Sequence, residues 1–158
     1  MASSEKNLSS YTDKNTSEVS NKKFAIIVSE WNDEITGALY QGVLDTLVEY
    51  GVQKTNIIKK DVPGSFELTL AAQWMAQLDD VDAVICLGCI IKGETKHDEY
   101  IANAVAQGVT NVGLKYNKPV IFGVLTPNTK QQALDRAGGK HGNKGDEAAI
   151  TAIKMLGF

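Results

Sequence analysis

The chain has 158 residues, 43% of them hydrophobic and 22% charged, the size and composition of one globular domain that needs no disulfide or metal to fold. Sixteen basic against nineteen acidic side chains leave a formal net charge of −3, which argues against a nucleic-acid or anionic-membrane surface but leaves room for a local anion pocket. Two cysteines, Cys86 and Cys89, make no disulfide framework, and no apolar run approaches a membrane span.

Residues 1–22 hold six serines, three asparagines and two threonines, with Leu8, Tyr11 and Val19 the only sizeable apolar or aromatic side chains. Such a segment cannot offset its ordering entropy by burial, so 1–22 is expected to be a disordered polar tail and 23–158 the domain. The tail lacks the apolar core of a signal peptide, and a cytoplasmic location is the default expectation. Phe24 to Val28 is an apolar run of strand length. Ile35, Leu39, Val43, Leu47 and Tyr50 then recur at helical spacing up to a stop at Gly51. Ile57-Ile58 is a short strand candidate ended by Pro63-Gly64, and Leu68, Ala71, Ala72 and Met75 mark a second helix. Ala83 to Leu87 is a second wholly apolar strand. After a loop from Ile90 to Lys96, a helix carries Ile101, Val105, Val109 and Val112. Val120 to Leu125 is the last strand, and Thr129-Lys130-Gln131-Gln132 has capping-box spacing for a fourth helix. A Gly/Lys-rich turn leads to a last helix marked by Ala149, Ala152, Ile153 and Leu156.

Apolar strands alternating with amphipathic helices predict a doubly wound α/β domain, a three-layer α/β/α sandwich on a four-stranded parallel sheet. Ligands bind such sheets outside the carboxyl ends of the strands, so the loops after Val28, Lys60, Cys89 and Leu125 are the ones to inspect. Generic motifs fail there. Cys86-Leu87-Gly88-Cys89 has C-x-x-C spacing, but within a strand its sulfurs point to opposite faces, and only His97 and His141 remain as imidazoles for zinc. Gly88 and Gly93 have Walker-like spacing, but Glu94-Thr95 follows where Lys-Ser/Thr is needed.

What survives is Gly93-Glu94-Thr95-Lys96-His97, between an apolar strand and a helix N-terminus, where free N–H groups and the helix dipole favour an anion. Thr95 can cap the helix or bond a phosphate oxygen. His97, in the first helical turn, is the residue suited to proton transfer near neutral pH. Trp31 offers an aromatic plate after the first strand, Ser65 and Glu67 offer a hydroxyl and a carboxylate to a polyol, and Arg136 and Lys144 can meet an anion. Taken singly, each has a plain structural reading as core, cap, turn or solvated charge.

Together they carry a resemblance. Trp31-Asn32, Val62 to Glu67, Ile91 to His97, Pro119 to Thr126 and Arg136 to Gly145 stand in the order and spacing of the 6,7-dimethyl-8-ribityllumazine synthase family, which the chain resembles from about Phe24 to Leu156. The resemblance implies a flavodoxin-like sheet. It implies the condensation of 5-amino-6-(D-ribitylamino)uracil with 3,4-dihydroxy-2-butanone 4-phosphate, releasing phosphate and water with no metal or cofactor. By position it implies His97 as catalytic proton shuttle. Trp31, Asn32, Ser65, Phe66, Glu67, Cys89, Ile90 and Ile91 then fall around the pyrimidine and ribityl chain. Gly93, Glu94, Thr95 and Arg136 fall around the phosphate. Phe122 and Lys144 reach the site from a neighbouring subunit, with Glu147 in support. Many relatives carry phenylalanine at the Trp31 position, and several carry a small residue at Glu94. Family members form pentamers, some assembled into sixty-subunit icosahedral shells. The uninterrupted turn Gly138 to Asn143 leads us to expect the shell, with riboflavin synthase as a possible partner. A non-catalytic flavin- or lumazine-binding or shell-forming relative is the alternative.

Overall fold

A computed structural model describes residues 18–158. Four parallel strands form one sheet in the order β2-β1-β3-β4: β1 Phe24–Ser29, β2 Ile57–Val62, β3 Ala83–Cys89 and β4 Val120–Leu125. Helices α1 Asp33–Glu49, α2 Leu68–Ala76, α3 His97–Tyr116, α4 Lys130–Asp135 and α5 Lys144–Leu156 connect and cover it, and a small hairpin, β5 Ala137–Gly139 with β6 Gly142–Asn143, joins α4 to α5. The arrangement is the flavodoxin-like three-layer sandwich that the alternation of strands and helices predicts.

The strand period of two divides the core. Phe24, Ile26 and Val28 of β1 and Ile85, Leu87 and Cys89 of β3 pack with Leu39, Val43 and Leu47 of α1 and Ala149, Ala152 and Ile153 of α5. Ala25, Ile27, Val84 and Cys86 face the other way, onto Leu68, Ala71 and Ala72 of α2 and Val105, Val109 and Val112 of α3. The two cysteines therefore lie on opposite faces, as their spacing predicts. Burial pushes the Cys86 thiol up to about 12 and the Cys89 thiol up to about 11, so both are neutral at physiological pH.

Three boundaries differ from the sequence reading. Strand β2 runs on through Lys59, Lys60 and Asp61 to Val62, because an edge strand needs a partner on one side only; the three charged side chains stand in solvent, with Lys59 Nζ 2.6 Å from Asp61 Oδ1. Helix α5 begins at Lys144 rather than near Ala149. Asn143 caps it, its Oδ1 accepting from the Gly145 N–H at 2.8 Å, while Gly145 lets α5 close on the Leu39 carbonyl of α1. At the other end, Val19 is 2% exposed in the core. The Lys23 N–H donates to Asp82 at 2.7 Å and Lys22 pairs with the same carboxylate at 3.1 Å. The folded unit thus starts no later than Val19, and the tail expectation for residues 1–17 lies outside the described residues.

Candidate active site

Parallel strands deliver four loops to one rim, and the backbone stitches them together. The Glu30 N–H donates to the Val62 carbonyl at 2.8 Å and the Trp31 N–H to that of Pro63 at 3.2 Å, joining the ends of β1 and β2. Ile90 N–H to Leu125 O at 2.8 Å and Lys92 N–H to Pro127 O at 3.0 Å join the ends of β3 and β4. Asn32 bridges the two pairs. It caps α1 in the left-handed region (φ 63°), tolerable for asparagine, and its Nδ2 donates to the Cys89 carbonyl at 2.9 Å. Cys89 and Ile90 bury their side chains, so any ligand meets their backbone.

Several of the expected site side chains stand outward from this fixed backbone. Trp31 is 73% exposed and Phe66 58% exposed, which removes the core reading of the indole. Ser65 opens a short 3₁₀ turn, Ser65–Glu67, and its hydroxyl lies against Gly88 of β3. Glu67 is exposed beside it. Loop 90–96 then crosses to α3. Lys96, not Thr95, occupies the cap position; Thr95 Oγ1 accepts the His97 N–H at 3.4 Å. His97 is the first residue of α3 and is exposed, as are Gly93 and Glu94. Among the described residues, the N–H groups of Glu94, Thr95 and Lys96 have no acceptor, the arrangement an anion-binding turn requires.

A second group of expected residues gathers apart from these. Arg136 ends α4, half-buried, and its guanidinium enters no ion pair among the described residues. Its carbonyl accepts the Lys144 N–H at 2.9 Å. The Lys144 ammonium lies 2.7 Å from Glu147 Oε2, and Glu147 is buried. Phe122 sits mid-strand on β4, opposite Cys86 and partly exposed. Among the described residues, no hydrogen bond or ion pair joins Arg136 or Phe122 to loop 90–97. Thr129 caps α4 by accepting from the Gln132 N–H at 3.2 Å, while Gln132 Oε1 reaches back to the Asn128 N–H at 2.8 Å. The spacing predicts that reciprocal cap, displaced here by one residue.

Sequence reasoning passed over Asp98. Its Oδ1 accepts the Gly93 N–H at 3.4 Å, and with Glu99, Asn103 and Thr126 it lines a hollow of about 300 Å³ at the ends of β3 and β4. Its only signal in the sequence is an acidic residue in a first helical turn. A larger hollow, about 490 Å³, lies between α1 and the start of α5 and is lined by Asp45, Glu49 and Asp146; no strand-end loop contributes to it.

Against this geometry, a family model described as 6,7-dimethyl-8-ribityllumazine synthase matches residues 21–158. A protein of that name from Cytophaga hutchinsonii is 61% identical, with 99% of this chain and 98% of the relative covered. One from Parabacteroides distasonis is 49% identical over 100% and 99%, and one from Flavobacterium johnsoniae 52% identical over 98% and 82%.

Proposed function

This chain belongs to the 6,7-dimethyl-8-ribityllumazine synthase family, and from that membership we propose how its rim performs the reaction. The enzyme condenses 5-amino-6-(D-ribitylamino)uracil with 3,4-dihydroxy-2-butanone 4-phosphate, releasing phosphate and water. The observation that carries the assignment of roles is the pairing of an exposed indole at Trp31 with open N–H groups at Glu94 to Lys96 among the described residues, on one backbone-stitched rim.

Trp31 stacks on the pyrimidine, and Asn32 holds the loop that presents it. The backbone of Cys89, Ile90 and Ile91 meets the ring edge, and Ser65, Phe66 and Glu67 line the ribityl chain. Gly93, Glu94 and Thr95 take the phosphate through their N–H groups, and Arg136 completes its charge. The aminouracil is already a nucleophile, so the site need not create one. Fixing two substrates in register removes translational freedom worth several kcal/mol. His97 moves the protons that carbonyl addition, water loss and phosphate departure require; its exposed position at the start of α3, next to the phosphate turn, suits that work.

Two observations support assembly. Phe66, Leu70 and Trp74 repeat every fourth residue and are all exposed, and so is Phe122 on the edge strand β4; large apolar side chains left in water favour cover by a partner. Arg136, Phe122, Lys144 and Glu147 are then site residues supplied to a neighbour in a pentamer. The uninterrupted hairpin turn favours sixty-subunit shells, with riboflavin synthase as the matching partner. No helix among the described residues is long and apolar enough to cross a membrane, and a cytoplasmic location fits. Sedimentation tests the assembly: the shell is expected, and a single species of pentamer mass at neutral pH overturns it. Steady-state assays of Arg136→Ala test the roles. KM for the butanone phosphate should rise with KM for the aminouracil little changed; equal shifts in both would remove Arg136 from the phosphate.

A further inference from the structure

Among the described residues, three N–H groups of loop 93–96 are open, but the loop's first donor is not. The Gly93 N–H points to Asp98 Oδ1 at 3.4 Å, from a carboxylate in the first turn of α3. A bond of that length is at the weak end of the range, and a phosphate oxygen is a stronger acceptor. Asp98 also adds a negative charge where a dianion must come to rest, in a stretch already holding Glu94 and Glu99 against Lys92 and Lys96. Asp98 itself borders the hollow of about 300 Å³, together with Glu99, Asn103 and Thr126. A carboxylate leaving Gly93 can turn further into that hollow, towards the polar side chains of Asn103 and Thr126.

We propose that Asp98 is a counter-ligand of the phosphate turn: it occupies the Gly93 N–H while phosphate is absent and swings towards the Asn103–Thr126 hollow when a phosphate monoester docks. This rests on reading Gly93 to Thr95 as the phosphate turn. Asp98 is a positioning residue, setting how strongly the turn holds the phosphate substrate and how readily it lets inorganic phosphate go. An energy of the order of one screened charge pair is at stake, about a three- to tenfold change in affinity.

The test uses the assembled full-length enzyme and inorganic phosphate as competitor against the butanone phosphate. In Asp98→Asn, which keeps the shape and loses the charge, and in Asp98→Ala, the inhibition constant of phosphate should fall about three- to tenfold. KM for the butanone phosphate should fall in step, with KM for the aminouracil unchanged. Asp45→Asn, the same change of net charge in the hollow between α1 and α5, should leave the constant where it was. If phosphate competes with the wild type but neither Asp98 variant tightens it, the counter-ligand is wrong and the phosphate turn stands. Equal tightening by Asp45→Asn also overturns the proposal, by assigning the effect to net charge. If phosphate competes in none of the proteins, the reading of the turn falls and Asp98 with it.

Discussion

The strand-end rim and the α1–α5 side of the core solve opposite problems with the same helix. At its N-terminus α1 is entered through Asn32, a residue in the left-handed region whose amide is committed to the neighbouring strand end, and the side chains around it face solvent. Towards its C-terminus α1 buries Val43 and Leu47 and lies against α5. The rim fixes its backbone and leaves its side chains available; the core fixes its side chains and hides them. Substitutions on the rim should therefore change turnover and leave stability alone, and substitutions in the core should do the reverse.

The largest effect expected is on stability. Leu47→Ala empties a fully buried site and should cost about 2–5 kcal/mol, read as a drop in melting temperature of about 5–15 °C. Next comes His97→Ala, expected to lower kcat about tenfold to a thousandfold while leaving turnover above the uncatalysed background; complete loss of activity, or none, would contradict a mechanism dominated by positioning. Arg136→Ala should raise KM for the butanone phosphate about tenfold, the scale of one charge-assisted contact. The smallest effect sharpens the comparison from the side of charge. Burial pushes the Asp146 carboxyl above its ordinary range, and Asp45, Glu147 and Glu49 add to the rise against a backbone hydrogen bond that opposes it. The folded state thus holds this proton more tightly than the unfolded chain, so the site costs nothing below the ordinary aspartate range and its penalty grows as pH rises through the raised value. Asp146→Asn should stabilise the protein at pH 7 by less than about 1 kcal/mol, screened as the group is. Denaturant titrations at pH 7 and pH 4 should show the gain shrinking on acidification; a constant gain would point away from charge.

The fold was legible wherever one period dominated. Phe24 to Val28 and Ala83 to Leu87 are buried on both faces and read as unbroken apolar runs. The helices carrying Leu39, Val43 and Leu47 and Val105, Val109 and Val112 show their buried stripe directly. What escaped depends on contacts made only after folding. Lys59-Lys60-Asp61 looks like a loop because an edge strand exposes charged side chains while its backbone pairs with β1. Gly145 looks like a helix breaker, yet its lack of a side chain is what lets α5 approach α1. Val19 is one apolar residue in a polar stretch, with no period to announce it. At the site, parallel topology predicts which loops meet, and Trp31, Ser65 and His97 do stand at those strand-end loops. The hold of Asp98 on Gly93, five residues back across a curved loop, leaves no pattern in a linear string.

The separability of the two regions is tested most directly by measuring kcat and melting temperature side by side for His97→Ala and Leu47→Ala. It predicts a crossed result. His97→Ala loses turnover with an unchanged melting temperature, and Leu47→Ala loses melting temperature with unchanged kcat well below its transition. Parallel loss of both quantities in both variants would show that the rim is part of what holds the fold together, and would contradict the division of labour proposed for it.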